Sequence, residues 1–220
     1  MLIEQRSQEW FDMRKGKITS SEIHKIMGGK GESLSETAKT YLLEKACEFY
    51  GGHGNPATGA AVEWGMDLEE QAIEVYEDKT KNKVEKCSFI PINESYGGSP
   101  DGKVKKDGGI EVKCPYNSVN HFKHGLIKTQ EDFKKVAPNY YYQCVSHMIA
   151  LDAKWCDFIS YDPRVNEDYQ IFVFRLLRDE DEVAAVIARV EVATKYLNEL
   201  KGLIEQANIP ASKGAWLTIY

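Results

Sequence analysis

Between Ser99 and Pro115 the sequence SPDGKVKKDGGIEVKCP sets two short period-two runs on either side of Asp107-Gly108-Gly109. Asp-Gly-Gly is a strong turn signal, so 102–105 and 110–114 are predicted to pair as a hairpin. Alternation along the second run sends Ile110, Val112 and Cys114 to one face and Glu111 with Lys113 to the other. An apolar sheet face needs helices against it, and the chain supplies them. Segments 19–28, 35–49, 61–78, 138–151 and 179–206 read as helices, and 84–92, 155–161 and 169–177 as strands. Thr19 and Glu22 have capping-box spacing. Gly28, Gly29 and Gly31 form a loop without the spacing of a P-loop, and Gly51 to Gly59 reads as another. The expected fold class is α/β (α+β), a central mixed sheet flanked by helices. With no repeat or long linker, 1–220 reads as one domain with a C-terminal amphipathic helix at about 179–206. The apolar stripe Val183, Val186, Val190, Ala193, Leu197 and Leu200 on that helix suits packing on the domain's own sheet, or an oligomer interface.

The polar face of the hairpin has two readings. It is either solvated or a metal-dependent nuclease centre. Asp101, in the Ser-Pro-Asp-Gly turn, can fold back toward Glu111, and two converging carboxylates repel unless a cation sits between them. Oxygen ligands without His or Cys suit Mg2+ or Mn2+ rather than zinc. Lys113 can orient an attacking water and offset charge developing on a phosphate. Glu69 adds a clue. It departs from the stripe Glu63, Asp67, Glu70, Glu74 and Glu77 and falls among Val62, Ile73 and Tyr76, the side expected to be buried. A buried carboxylate needs a partner, which is either a structural ion pair or the same metal centre.

Composition narrows the class. A net charge of −6 argues against a protein that coats nucleic acid, but the charge is uneven. Residues 63–78 hold seven acids and no Lys or Arg, whereas 103–135 hold eight lysines against four acids. Five cysteines without a C-x-x-C pair favour free, mostly buried thiols. They also lack the clustering that an iron–sulfur nuclease needs. The start, MLIEQRSQEW, lacks a signal peptide's apolar run, and no stretch has membrane-span length, so a cytoplasmic protein is expected.

Several stretches, taken in order, resemble one family. SPD…IEVKCP carries D-x9-E-x-K spacing, and WFDMRKGKITSSEI (10–23), VEWGMDLEEQA (62–72), YYYQCVSHM (140–148) and SYDPR (160–164) accompany it. Across about 9–178 the chain resembles the lambda exonuclease / YqaJ-type viral recombinase family, or phage alkaline exonucleases, of the PD-(D/E)xK nuclease superfamily. The resemblance implies a restriction-endonuclease-like core and 5′→3′ degradation of duplex DNA, leaving 3′ single strands. It implies that Asp101, Glu111 and the Val112 carbonyl ligate Mg2+, with Mn2+ able to substitute and two ions per active site. Glu69 would be the helix carboxylate of that centre and Lys113 the catalytic lysine. Arg14, Ser21, Ser99 and Gln143 would hold the 5′-phosphate end or neighbouring phosphates. Tyr140 would be an active-site tyrosine, and His147 a bystander on the same helix face. Implied partners are 5′-phosphorylated duplex ends, a single-strand annealing protein and two further copies in a ring trimer, in the cytoplasm of a phage or prophage host. A site-specific endonuclease and an inactive DNA-binding subunit are the alternatives. Lys103, Lys105 and Lys106 have no assigned role.

Overall fold

The computed structural model describes residues 3–52 and 59–207, so most of the expected 51–59 loop lies outside the described residues. Among the described residues eight strands form two sheets. The larger has the order β2 (Val84–Glu85), β5 (Gly102–Val104), β6 (Gly108–Lys113), β7 (Trp155–Tyr161) and β8 (Ile171–Leu177). Only β6 and β7 run parallel, so the sheet is mixed. The smaller sheet has the order β1 (Ile18–Thr19), β4 (Tyr96–Gly98) and β3 (Ile90–Pro91). The predicted strand 84–92 is thus two short strands in different sheets.

Helices cover both faces. On one face of β6, α3 (Ala60–Thr80) brings Ala72 and Tyr76 onto Ile110 and Val112. On the other lie α6 (Pro138–Leu151), α2 (Glu36–Phe49) and α7 (Glu180–Ala207). The α7 stripe is buried from Val183 to Leu197 against α2 and α6, so helices cover it rather than the sheet alone. Shorter helices α1 (Gln8–Arg14), α4 (Ser118–Gly125) and α5 (Gln130–Val136) frame the edges. The expected helix at 19–28 is a 3-10 helix, Ser20–Ile26, whose Thr19 makes no side-chain cap. Among the described residues no helix is long and apolar enough to cross a membrane. All five cysteines are free, but only Cys144 and Cys156 are buried.

The hairpin turn differs from its prediction. Val104 pairs with Gly108, so the turn is Lys105-Lys106-Asp107, with Lys105 at φ 54°. Gly108 and Gly109 are strand residues instead. A Cβ on Gly108 would lie 2.0 Å from the Trp155 ring, and one on Gly109 2.8 Å from Leu151. The glycines admit neighbours from distant sequence rather than bend the chain. Gly108→Ala is expected to cost about 1–3 kcal/mol by overpacking, read as a lower urea midpoint. An unchanged midpoint would mean that Trp155 can move aside.

Candidate active site

Because β6 runs through the middle of the larger sheet, its polar face is no solvated face: Glu111 is 0% exposed. The pairing of Gly102 with Ile110 puts Asp101, one residue earlier, across from Glu111. Asp101 Oδ2 accepts a hydrogen bond from the Val112 amide at 2.7 Å. Lys113 forms an ion pair with Glu111, and its Nζ stands 5.1 Å from the centroid of the Tyr140 ring. From α6, His147 Nδ1 lies 3.1 Å from the other Glu111 oxygen.

These charges govern one another. Burial and the Glu111 charge push the Asp101 carboxyl well above the usual carboxylate range. Burial presses Glu111 the same way, but Lys113 and His147 outweigh it and hold that carboxyl low. Burial also opposes the Lys113 ammonium, and Glu111 and Asp101 overcome it to raise its pKa. Both Glu111 oxygens are buried without an aligned hydrogen bond. Buried carboxylate oxygens held only by Lys113 and His147, beside a second, half-buried carboxyl pushed toward its neutral form, suit a hard divalent cation, so these residues fit Mg2+ or Mn2+.

Glu69 stands apart from this pair. It pairs with Arg6 at 2.9 Å, with its side chain 28% exposed. Its charge still raises the Asp101 carboxyl, and it lines the same cleft as Lys113. Since α3 covers the opposite face of β6, Glu69 reaches the centre only from the edge. Val62, expected on the buried side of that helix, is exposed. Among the described residues no three His, Cys, Asp or Glu side chains stand together as a ready metal cluster.

Three of the residues expected to bind phosphate, Arg14, Ser21 and Ser99, form a second group. Arg14 donates from Nη1 to Ser99 Oγ at 3.1 Å and from Nη2 to Ser21 Oγ at 3.5 Å. Its guanidinium lies 4.0 Å over the Trp10 ring, whose Nε1 also donates to Ser99 Oγ at 3.0 Å. Ser99 is two residues from Asp101, which links the two groups. Gln143 is buried one turn from His147 on α6, and Tyr140 stacks on Phe158 with centroids 5.6 Å apart. His147, expected to be a bystander on that face, meets Glu111 instead. Its signal in the sequence was its shared helix face with Tyr140 and Gln143, but that face gave no hint of the strand it meets.

A family model described as a YqaJ-like viral recombinase domain matches residues 9–154. Comparison with curated proteins gives no match. Among solved structures, an alkaline exonuclease from Laribacter hongkongensis superposes with a TM-score of 0.79 at 28% identity, over 91% of this chain and 97% of that one. The same enzyme in complex with dAMP gives a TM-score of 0.78 at 30% identity, with the same coverage. A phage-related exonuclease from Haemophilus somnus 129PT shares the fold, with a TM-score of 0.73 at 23% identity over 86% and 96%.

Proposed function

The chain belongs to the family of YqaJ-like viral recombinase domains, and from that premise we propose that it is an Mg2+-dependent 5′→3′ exonuclease of duplex DNA. The observation that carries the proposal is the buried Glu111 with the half-buried Asp101 and Lys113 against it, beside the cluster of Arg14, Ser21 and Ser99. Asp101, Glu111 and the Val112 carbonyl would hold the ion, two ions per site in the full reading, and Glu69 would join only on leaving Arg6. A bound divalent cation supplies Lewis acidity toward the scissile phosphate and a counter-charge for the two carboxylates. The chain's own groups supply the rest. Lys113 donates toward the charge that develops on the phosphate. Arg14, with the two serine hydroxyls, receives the terminal 5′-phosphate, and this sets the direction of digestion. Tyr140 lines the cleft beside Lys113, and Gln143 would support it from the next position on the same helix face.

The products would be mononucleotides and a 3′ single strand. A single-strand annealing partner, a ring trimer and a phage or prophage origin in a bacterial cytoplasm follow from the family reading.

End-labelled linear duplex with Mg2+ tests the proposal. Labelled mononucleotides are expected to appear first from the 5′ end, with Mn2+ substituting and EDTA stopping the reaction. Digestion from 3′ ends would reverse the assigned polarity. Cutting of closed circles would replace the exonuclease by an endonuclease of the same chemistry.

A further inference from the structure

A chain of hydrogen bonds behind the cleft determines which nitrogen of His124 carries its proton. His121, fully buried on α4, places Nε2 2.8 Å from the Tyr169 main-chain carbonyl and Nδ1 2.9 Å from Ser160 Oγ. His124 Nδ1 lies 2.9 Å from the same oxygen. A carbonyl only accepts, so His121 Nε2 holds the hydrogen and, in a neutral ring, Nδ1 holds a lone pair. Ser160 has one hydroxyl hydrogen, which therefore points to His121. Its oxygen then accepts from His124 Nδ1–H, and the lone pair of His124 is left on Nε2.

That ring belongs to the cleft. Ser160 is the β7 partner of Lys113 in the sheet register. His124 lines the cleft of about 620 Å3 together with Lys113 and Tyr140. The His124 and Tyr140 rings meet edge-on at 5.8 Å, and the same Tyr140 ring carries Lys113 Nζ. Burial above all holds the His124 ring down at about 4, so it is neutral and keeps its lone pair at neutral pH.

A water held for attack needs more than Lys113. An ammonium only donates, and it draws the water's lone pair toward itself. An acceptor for one of the water's hydrogens on the other side is needed to turn its second, free lone pair to phosphorus. We propose that His124 is a further catalytic residue, whose Nε2 accepts a hydrogen bond from the attacking water. Ser160 and His121 are positioning residues that keep the acceptor in its tautomer, as outer-shell partners do for imidazole ligands. The assignment rests on the nuclease reading above and extends it.

Three variants and one spectrum test it. His124→Phe keeps the aromatic packing and removes the lone pair. His124→Gln returns an oxygen acceptor near the Nε2 position. Ser160→Ala breaks the relay. On linear duplex, kcat is expected to fall about tenfold in His124→Phe, with KM for DNA little changed, and to recover partly in His124→Gln. Imidazole 15N NMR of the wild-type protein is expected to show the hydrogen on Nδ1 of His124 and on Nε2 of His121, with the His124 preference lost in Ser160→Ala. A wild-type kcat in a folded His124→Phe, or a hydrogen on His124 Nε2 in the wild type, overturns the proposal. If His124→Phe misfolds, the Ser160→Ala spectrum and kcat decide. Wild-type protein that leaves linear duplex uncut overturns the nuclease reading itself, a failure distinct from a cutting enzyme indifferent to His124.

Discussion

Lys113→Met is expected to lower hydrolysis of linear duplex by about a thousandfold, the scale of losing a preorganised donor to transition-state charge. The methionine keeps most of the stem that passes over Tyr140 and removes only the ammonium. The cost to the fold is separate. Lys113 and His147 are the groups facing the Glu111 carboxylate, and Asp101 stands across the strand. Removing the ammonium leaves the buried Glu111 and the half-buried Asp101 with one imidazole, so a stability loss of about 3 kcal/mol is expected without metal. Added Mg2+ should then raise the melting temperature, by more in the variant than in the wild type, because the competing cation is gone. The measurements are turnover and thermal unfolding with and without Mg2+. Normal turnover in Lys113→Met would sink the site; an unchanged melting temperature on adding Mg2+ would sink the metal placement.

The two stretches that carry the chemistry were unequally readable. The pairing of Asp101 with Glu111 and Lys113 is local, set by hairpin register and alternation, and therefore visible in seventeen residues of sequence. Helix α6 was equally plain: Pro138 starts it, and Asp152 ends it with φ 49°. What failed was decided by distant neighbours. Asp107-Gly108-Gly109 looked like a turn because nothing local shows that Trp155 lies where a side chain would be. A helical wheel brought Glu69 toward the core but had no way to include Arg6, which reaches it from the N-terminal segment. The wheel for α6 grouped His147 correctly with Tyr140 and Gln143, yet which strand that face meets is a tertiary fact. The relay through Ser160 joins α4, β7 and the Tyr169 carbonyl, three segments with no sequence pattern in common.

Arg14→Gln is expected to remove most of the preference for 5′-phosphorylated over 5′-hydroxyl ends, about a hundredfold if two charge-assisted hydrogen bonds are lost. The reason lies in what Arg14 lacks. Among the described residues it makes no ion pair; its partners are two serine hydroxyls and the face of Trp10. Burial lowers its pKa, with Tyr41, Glu48 and Glu22 acting only at a distance to offset that. A desolvated guanidinium with hydroxyls but no anion beside it is costly in the free protein and rewarded when a phosphate arrives. Glutamine keeps one donor and drops the charge without stranding a carboxylate, so stability should hold or rise, the reverse of Lys113→Met. The check is the ratio of initial rates on the two kinds of end, wild type against variant. Equal wild-type rates on both ends would take the terminal phosphate away from Arg14, and the direction of digestion would then need another cause.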